Sequence, residues 1–352
     1  MSKRTAKSTF VGLEIEPSAV HAASVSVNGS VRLNAAGSQA LDTGIVRDGE
    51  VADVDALADA LRTLFAAHKD LDRRVRIGVA NQKIVVRVLD LPPLADRKEL
   101  DAAIRFQAQD EIPMPLDSAV LDFHPLEIVQ TNAGPRQRVL LVAARRDMIE
   151  RVLQAARAAG LRPEGIDLAA FGMVRALHRS AATEGQVLYV SVGGLTNLAV
   201  AQGTTCLFTR VVGGGLEAIA IELAERRGLT LEHSRAWVDH VGLAAPLDMV
   251  EGDTEIVQDA RAILLEGVRR IGGDVRNSLD FHHAASVGGA GAAGVEKAVL
   301  TGGSVAVPGF AEALANELGL PVEVGTVDGA PDGPLAGRVT VAAGLAMQES
   351  TS

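Results

Sequence analysis

Three short turns carry the residues of this chain whose types and spacing could do chemistry. They span residues 14–18 in "VGLEIEPSAVHA", residues 191–196 in "SVGGLTN" and residues 301–304 in "LTGGSV". Each follows an apolar run. Small residues at such turns let backbone N–H groups approach phosphate oxygens with no Cβ in the way. One glycine turn is most often only a turn. Here two strand–turn–strand hairpins lie in separate halves of the chain, and a strand–Gly-Gly-Ser–helix turn joins them. Together they specify a ligand held between two lobes.

The surrounding patterns supply the elements that must position these turns. Residues 9–40 alternate apolar and polar around Pro17 and Asn28-Gly29, which predicts two or three antiparallel strands. Residues 53–69 place Val54, Leu57, Ala58, Leu61, Leu64 and Phe65 at helical spacing behind Asp53 as N-cap. "VRIGVA" (75–80) and "KIVVRVLDLP" read as strands, the latter ended by Pro92 and Pro93. Residues 97–111 form a helix with Leu100, Ala103, Ile104 and Ala108 on one stripe, stopped by Pro113 and Pro115. A hairpin follows, "AVLDFHPLEIV" and "RVLLVAAR" around a loop "QTNAGPRQ", then a helix over 147–159 closed by Gly160. "RPEGIDL" leads into another helix. A boundary falls at "AATEGQ" (181–186), after which strand, glycine turn and strand repeat the opening device. The second half continues with helices over "GGGLEAIAIELAERRG" and "LTLEHSRAWVDHVG", a surface loop at 242–255, a long helix over 257–283 and a flexible link "ASVGGAGAAGVE". "PVEV" and "VTVAAGLAM" close that half.

Composition removes several function classes. The 352 residues suit two domains or one two-lobed unit, and the cores must be aliphatic, since hydrophobic residues make up 47% and aromatics only 3%. A net charge of −10 argues against a nucleic-acid binder, and the aromatic platform for stacking single-stranded bases is missing. The one cysteine, Cys206, rules out an internal disulfide and reads as a small buried hydrophobe in a strand. No apolar run reaches the roughly 20 residues that span a bilayer. The start "MSKRTAKSTF" has no signal-peptide core and the end no basic amphipathic helix, so a soluble cytoplasmic chain is expected, with any membrane role supplied by a partner. The eight histidines show no metal spacing, and adjacent His282 and His283 point to different faces.

The three turns resemble those of the actin–hexokinase–chaperone ATPase superfamily. The resemblance narrows at "ELDAAIRFQAQDEIPMP", "LDFHPL", "VLLVAARRDMIERVLQAARAAGLRPEGIDLAAFGMVRAL", "GIVRDGEVADVDALADAL", "DVRNSLDFHH" and "VLTGGSVAVPGF". These are similar to the PilM family of type IV pilus assembly proteins, relatives of cell-division FtsA. Glu99, Leu100, Ala103, Ile104, Arg105, Ile112, Pro113 and Pro115 carry that family's pattern. The likeness implies an α/β, actin-like two-lobed fold with an SHS2-type insertion in the first lobe. The expected division is 8–84 plus 163–182 for the first lobe core, 85–162 for the insertion, 185–206 plus 295–347 for the second lobe core, and 207–294 for its outer subdomain. It implies ATP with Mg²⁺ between the lobes, touched by Glu14, Ser18, Gly193, Gly194, Thr196, Gly302, Gly303 and Ser304, with Glu14 on the metal. It also implies a partner: the N-terminal cytoplasmic tail of a bitopic PilN-like membrane protein, gripped between first lobe and insertion, with further pilus motor or platform proteins beyond it. The apolar strand at 84–89, with Val86 and Val88, either receives that peptide by β-addition or is ordinary sheet interior, and Arg105 either touches it or pairs within the insertion.

The chain departs from the family at the chemistry. Family members carry Asp-x-Gly-Ser at the first turn, where this chain has Glu14 and Glu16. An inward carboxylate at Glu16 about 4 Å from a phosphate charge would cost on the order of 4 kcal/mol, and an outward one nothing. Ser191 stands where the second turn's acid belongs, and Arg235 and Val238 stand where Glu and Lys commonly approach the adenosine. One carboxylate is altered, one lost and one added, so hydrolysis is not expected. A nucleotide-free scaffold is the rival to a nucleotide-binding one. An active ATPase or small-molecule kinase, and an FtsA-like polymer, are the alternatives from other classes.

Overall fold

The computed structural model describes residues 6–7, 10–28, 30–94, 96–131, 134–181, 183, 185–286, 294–331, 333 and 335–347. The basic start, most of the glycine-rich link and the last residues, on which expectations were placed, lie outside the described residues.

The two halves are built on one strand pattern. In the first, Ser30–Ala40, Ala19–Asn28, Val11–Ile15, Arg74–Val79 and Arg162–Leu168 lie side by side, two antiparallel junctions followed by two parallel ones. In the second, Thr205–Val212, Thr196–Gln202, Gln186–Val192, Val295–Thr301 and Val322–Val324 repeat the same order of junctions. The hairpin-led duplication expected from the sequence is therefore a duplication of sheet topology. Strands Val11–Ile15, Gln186–Val192 and Thr196–Gln202 are fully or almost fully buried, because helices cover both faces of their sheets. Arg162–Leu168, expected only as a lead-in, is an edge strand; its half-exposed, charge-bearing residues hide the pairing that holds it.

Helix Val54–Ala67 has Asp53 as its N-cap, the carboxylate accepting from the Ala56 N–H at 2.9 Å. Helix Arg97–Glu111 lies on a three-stranded antiparallel sheet, Val85–Leu91, Gly134–Arg145 and Ala119–Thr131, and buries Leu100, Ile104 and Ala108 against Val85, Leu89 and Leu141. The polar loop expected at 130–137 is mostly strand. That end of the hairpin is largely exposed, so its residues are as polar as a loop's, and Pro135 lies beyond the stretch paired to Val85–Leu91, where its missing N–H costs least. The insertion's own core ends at Ala143. Helix Arg146–Ala158, expected inside the insertion, packs its Met148, Ile149 and Val152 into the first lobe's core with Leu61 and Phe65. In the second half, helices Leu216–Arg227, Leu231–Val241 and the 33-residue Thr254–Ser286 build the outer layer. Cys206 is buried with its thiol pushed up to about 12 by desolvation, as the small-hydrophobe reading requires.

Two helices sit between the sheets. Ala169–Ala181 and Thr340–Leu345 share a core with Ala23 and Val25 of the first sheet and Tyr189 and Ala199 of the second. The C-terminal helix, expected to close the second half, thus belongs to the junction. A Cβ on Gly344 would lie 1.7 Å from the Gly172 carbonyl oxygen, and one on Gly12 would lie 1.9 Å from that of Ala342. Arg175 donates to the Gly344 carbonyl at 3.1 Å and Arg76 to that of Met347, just past the helix, at 2.9 Å, tying this segment to the first lobe. Gly344→Ala should therefore lose roughly 1–3 kcal/mol in urea melts, the scale of forced overpacking. Gly273→Ala, whose Cβ meets nothing within 4 Å on the long helix, should instead gain up to about 1 kcal/mol. Equal melts for the two variants would refute the close contact.

Candidate functional site

The cleft between the halves brings together one end of each hairpin. Its walls are Glu16, Ser18 and His21 from the first lobe, Gly193, Gly303 and Arg338 from the second, and Glu217, Arg235, Val238 and Asp239 from the outer helices. The first hairpin turns tightly, the Glu16 N–H donating to the Ala19 carbonyl at 2.9 Å. The second turns with the Gly193 N–H on the Leu195 carbonyl at 3.0 Å. Pro17 and Ser18 lie directly against Gly194.

The direction of Glu16 is settled by its contacts. Its carboxylate accepts from the Gly194 N–H across the cleft at 3.3 Å and lies 3.7 Å from His21 Nε2. A Cβ on Gly193 would meet both carboxylate oxygens at 2.5–2.6 Å. Glu16 thus points inward and fills the cradle that the second turn's glycines form.

The other expected site residues divide. Ser18, Gly193 and Gly303 line the cleft, and Gly194 gives its N–H to it. Thr196 is buried and spends its hydroxyl on the Gly214 carbonyl at 3.1 Å; Ser304 is buried and donates to the Thr301 carbonyl at 3.4 Å. Gly302, at φ 84°, packs over Ser191, whose Oγ a Cβ would meet at 2.8 Å. Glu14 is buried behind the turn, opposite His21 in the hairpin, and outside the cleft wall. Desolvation first, and the Glu16 charge second, hold its carboxyl well above the ordinary 4.5. Arg235 is committed to Glu217 at 2.9 Å, and Arg338 lies 3.7 Å from Asp239, itself raised by burial against the pull of Arg338. His21, Glu217, Asp239 and Arg338 were not among the expected residues. Their place is fixed by packing between distant elements, and no local motif marks them.

These residues do not fit a magnesium-bound triphosphate as they stand. The cradle holds a carboxylate, the expected metal ligand is buried and biased to its neutral form, and both arginines of the wall face acids. Among the described residues no group of three or more His, Cys, Asp or Glu could hold a metal ion. The expected partner residues also divide. Val86 packs with Val120 and Val142 against the first lobe, and Val88, further along the same face of the strand, is 42% exposed. Arg105 lies on the helix covering the opposite face and pairs with Asp101 at 2.8 Å.

The duplicated sheets around an interlobe cleft define an actin-like ATPase fold. MreB5 of Spiroplasma citri, solved with ADP, shares it at a TM-score of 0.53 and 11% identity over 95% of this chain and 94% of that one. The chain belongs to the family of type IV pilus assembly protein PilM, whose pattern matches residues 12–328. The structure of a PilM–PilN type IV pilus biogenesis complex is similar at a TM-score of 0.78 and 26% identity, covering 96% of this chain and 97% of that one. Cell division protein FtsA of Streptococcus pneumoniae is 22% identical over 90% of this chain and 75% of its own length.

Glu14 makes a pH-dependent prediction. A carboxyl whose folded pKa is raised binds its proton more tightly in the folded state, so it costs stability as pH rises through the unfolded value towards the folded one. Glu14→Gln should therefore melt at a higher temperature than the parent at about pH 7, and the gain should vanish below about pH 4. A gain of the same size at both pH values would mean that the burial of the charge is not its cause.

Proposed function

We propose that this chain is a cytoplasmic scaffold of a type IV pilus assembly platform. It docks the N-terminal tail of a PilN-like bitopic protein and is held at the inner membrane by that partner. The observation that carries the reading is the likeness to the PilM–PilN complex along essentially the whole chain. Among the described residues no helix is long and apolar enough to cross a membrane, which suits attachment through a partner.

The docking place that fits best is the junction of insertion and first lobe. Val85–Leu91 pairs on one side with Gly134–Arg145 and ends its sheet there, so its other edge offers backbone groups to an extended peptide. Val88 supplies exposed apolar surface beside Val86. Arg105, on the other face and already paired, serves the insertion rather than the peptide. ATP with Mg²⁺ enters the cleft only if Glu16 leaves the cradle, so docking does not wait on nucleotide, and Ser191 supplies no carboxylate for hydrolysis.

Calorimetric titration with a peptide of the partner's tail should show binding of equal strength with and without ATP and Mg²⁺. Val88→Glu should weaken it about tenfold, or about 1.4 kcal/mol. No binding in either condition would overturn the scaffold reading; binding only with ATP would overturn its independence from nucleotide.

A further inference from the structure

The cleft holds a device that neither the family likeness nor the docking reading supplies. The junction helices bring the two hairpin turns face to face, and the turn at Gly193–Gly194 is built for an anion. It presents the Gly194 N–H, and the missing side chain of Gly193 leaves the space beside it. The anion in that space belongs to the chain itself. We propose that Glu16 is an internal phosphate surrogate: its carboxylate is the resident ligand of the second-lobe cradle, latching the two lobes in place of a nucleotide's phosphate.

Four observations converge on this. The carboxylate takes the cradle's hydrogen bond across the cleft rather than turning to solvent, its side chain only 16% exposed. The fit is close enough that a single methyl group on Gly193 would collide with both oxygens. The imidazole of His21, almost fully buried, stands behind it at 3.7 Å and backs the anion from the first lobe. Pro17 and Ser18 press against Gly194, so the turn that carries Glu16 is seated on the turn that receives it. The ligand class the cradle would take once vacated is a phosphate, free or carried by a nucleotide.

The test is a double-mutant cycle with anion rescue, on the full chain. Gly193→Ala should lower the melting temperature of the parent, because its Cβ displaces the Glu16 carboxylate, and should lower it far less in a Glu16→Gly background. Inorganic phosphate at 10 mM-scale concentration, about 100-fold above a dissociation constant near 0.1 mM, should raise the melting temperature of Glu16→Gly by several degrees and leave the parent unmoved. ATP with Mg²⁺ should separate the two proteins in the same direction. Glu16→Ser serves in the cycle and the rescue if Glu16→Gly fails to fold. An additive cycle would show that the carboxylate does not occupy the cradle. Phosphate that stabilises both proteins equally, or neither, would show that it is no surrogate. Because none of these readouts involves the partner peptide, failure here leaves the docking reading standing, and failure of docking leaves the latch standing.

Discussion

The backbone contact between Gly172 and Gly344 sets the geometry on which the rest of the molecule depends. Two helices have to fit between two sheets, and they can do so only where side chains are absent. Gly12 extends the same constraint into the first sheet, bringing the C-terminal helix against the strand that leads to Glu14 and Glu16. Arg175 and Arg76 hold the carbonyls of Gly344 and Met347, so this segment is tied to the first lobe. With that junction fixed, the two hairpin turns face each other at hydrogen-bond distance.

The electrostatics of the cleft follow from this placement. Glu16, Glu217 and Asp239 line the space that a triphosphate would need, Glu14 is buried behind the first turn, and the arginines that could offset the acids of the wall are turned to Glu217 and Asp239. Burial and the neighbouring charge of Glu16 bias Glu14 towards its neutral form, which relieves part of the repulsion but removes the oxygen charge a magnesium ion would seek. The arrangement is self-consistent with an internal anion, and each departure from a phosphate-binding pattern reinforces the others.

Most of the architecture was legible in the sequence because it is written in local periodicity. Asp53 as a cap, the stripe of Leu100, Ile104 and Ala108, and the repeated hairpins all express rules that hold within a few residues. What was not legible depends on partners far along the chain. Strand Arg162–Leu168 looks like a loop until Arg74–Val79 pairs with it, and the helix at 340–345 looks like part of the second half until Gly12 is set beside it. The site was legible to the same extent. The glycines and Ser18 declared themselves by type, whereas His21, Asp239 and Arg338 acquire meaning only in the folded cleft, and the direction of Glu16 is a property of Gly194's N–H, 178 residues away.

A scaffold places different demands on this fold from an ATPase. An enzyme of this architecture must open and close its cleft around a changing ligand, so an anion fixed in the cradle would arrest it. A docking platform gains from the opposite behaviour, since a surface that is already in its binding shape loses less freedom when a partner docks. A covalently attached carboxylate is present at a high effective concentration and is never hydrolysed or exchanged. The carboxylate that fills the second turn's cradle also ties the first hairpin to the second across the cleft, so one side chain both excludes a phosphate from that space and holds the two turns in register.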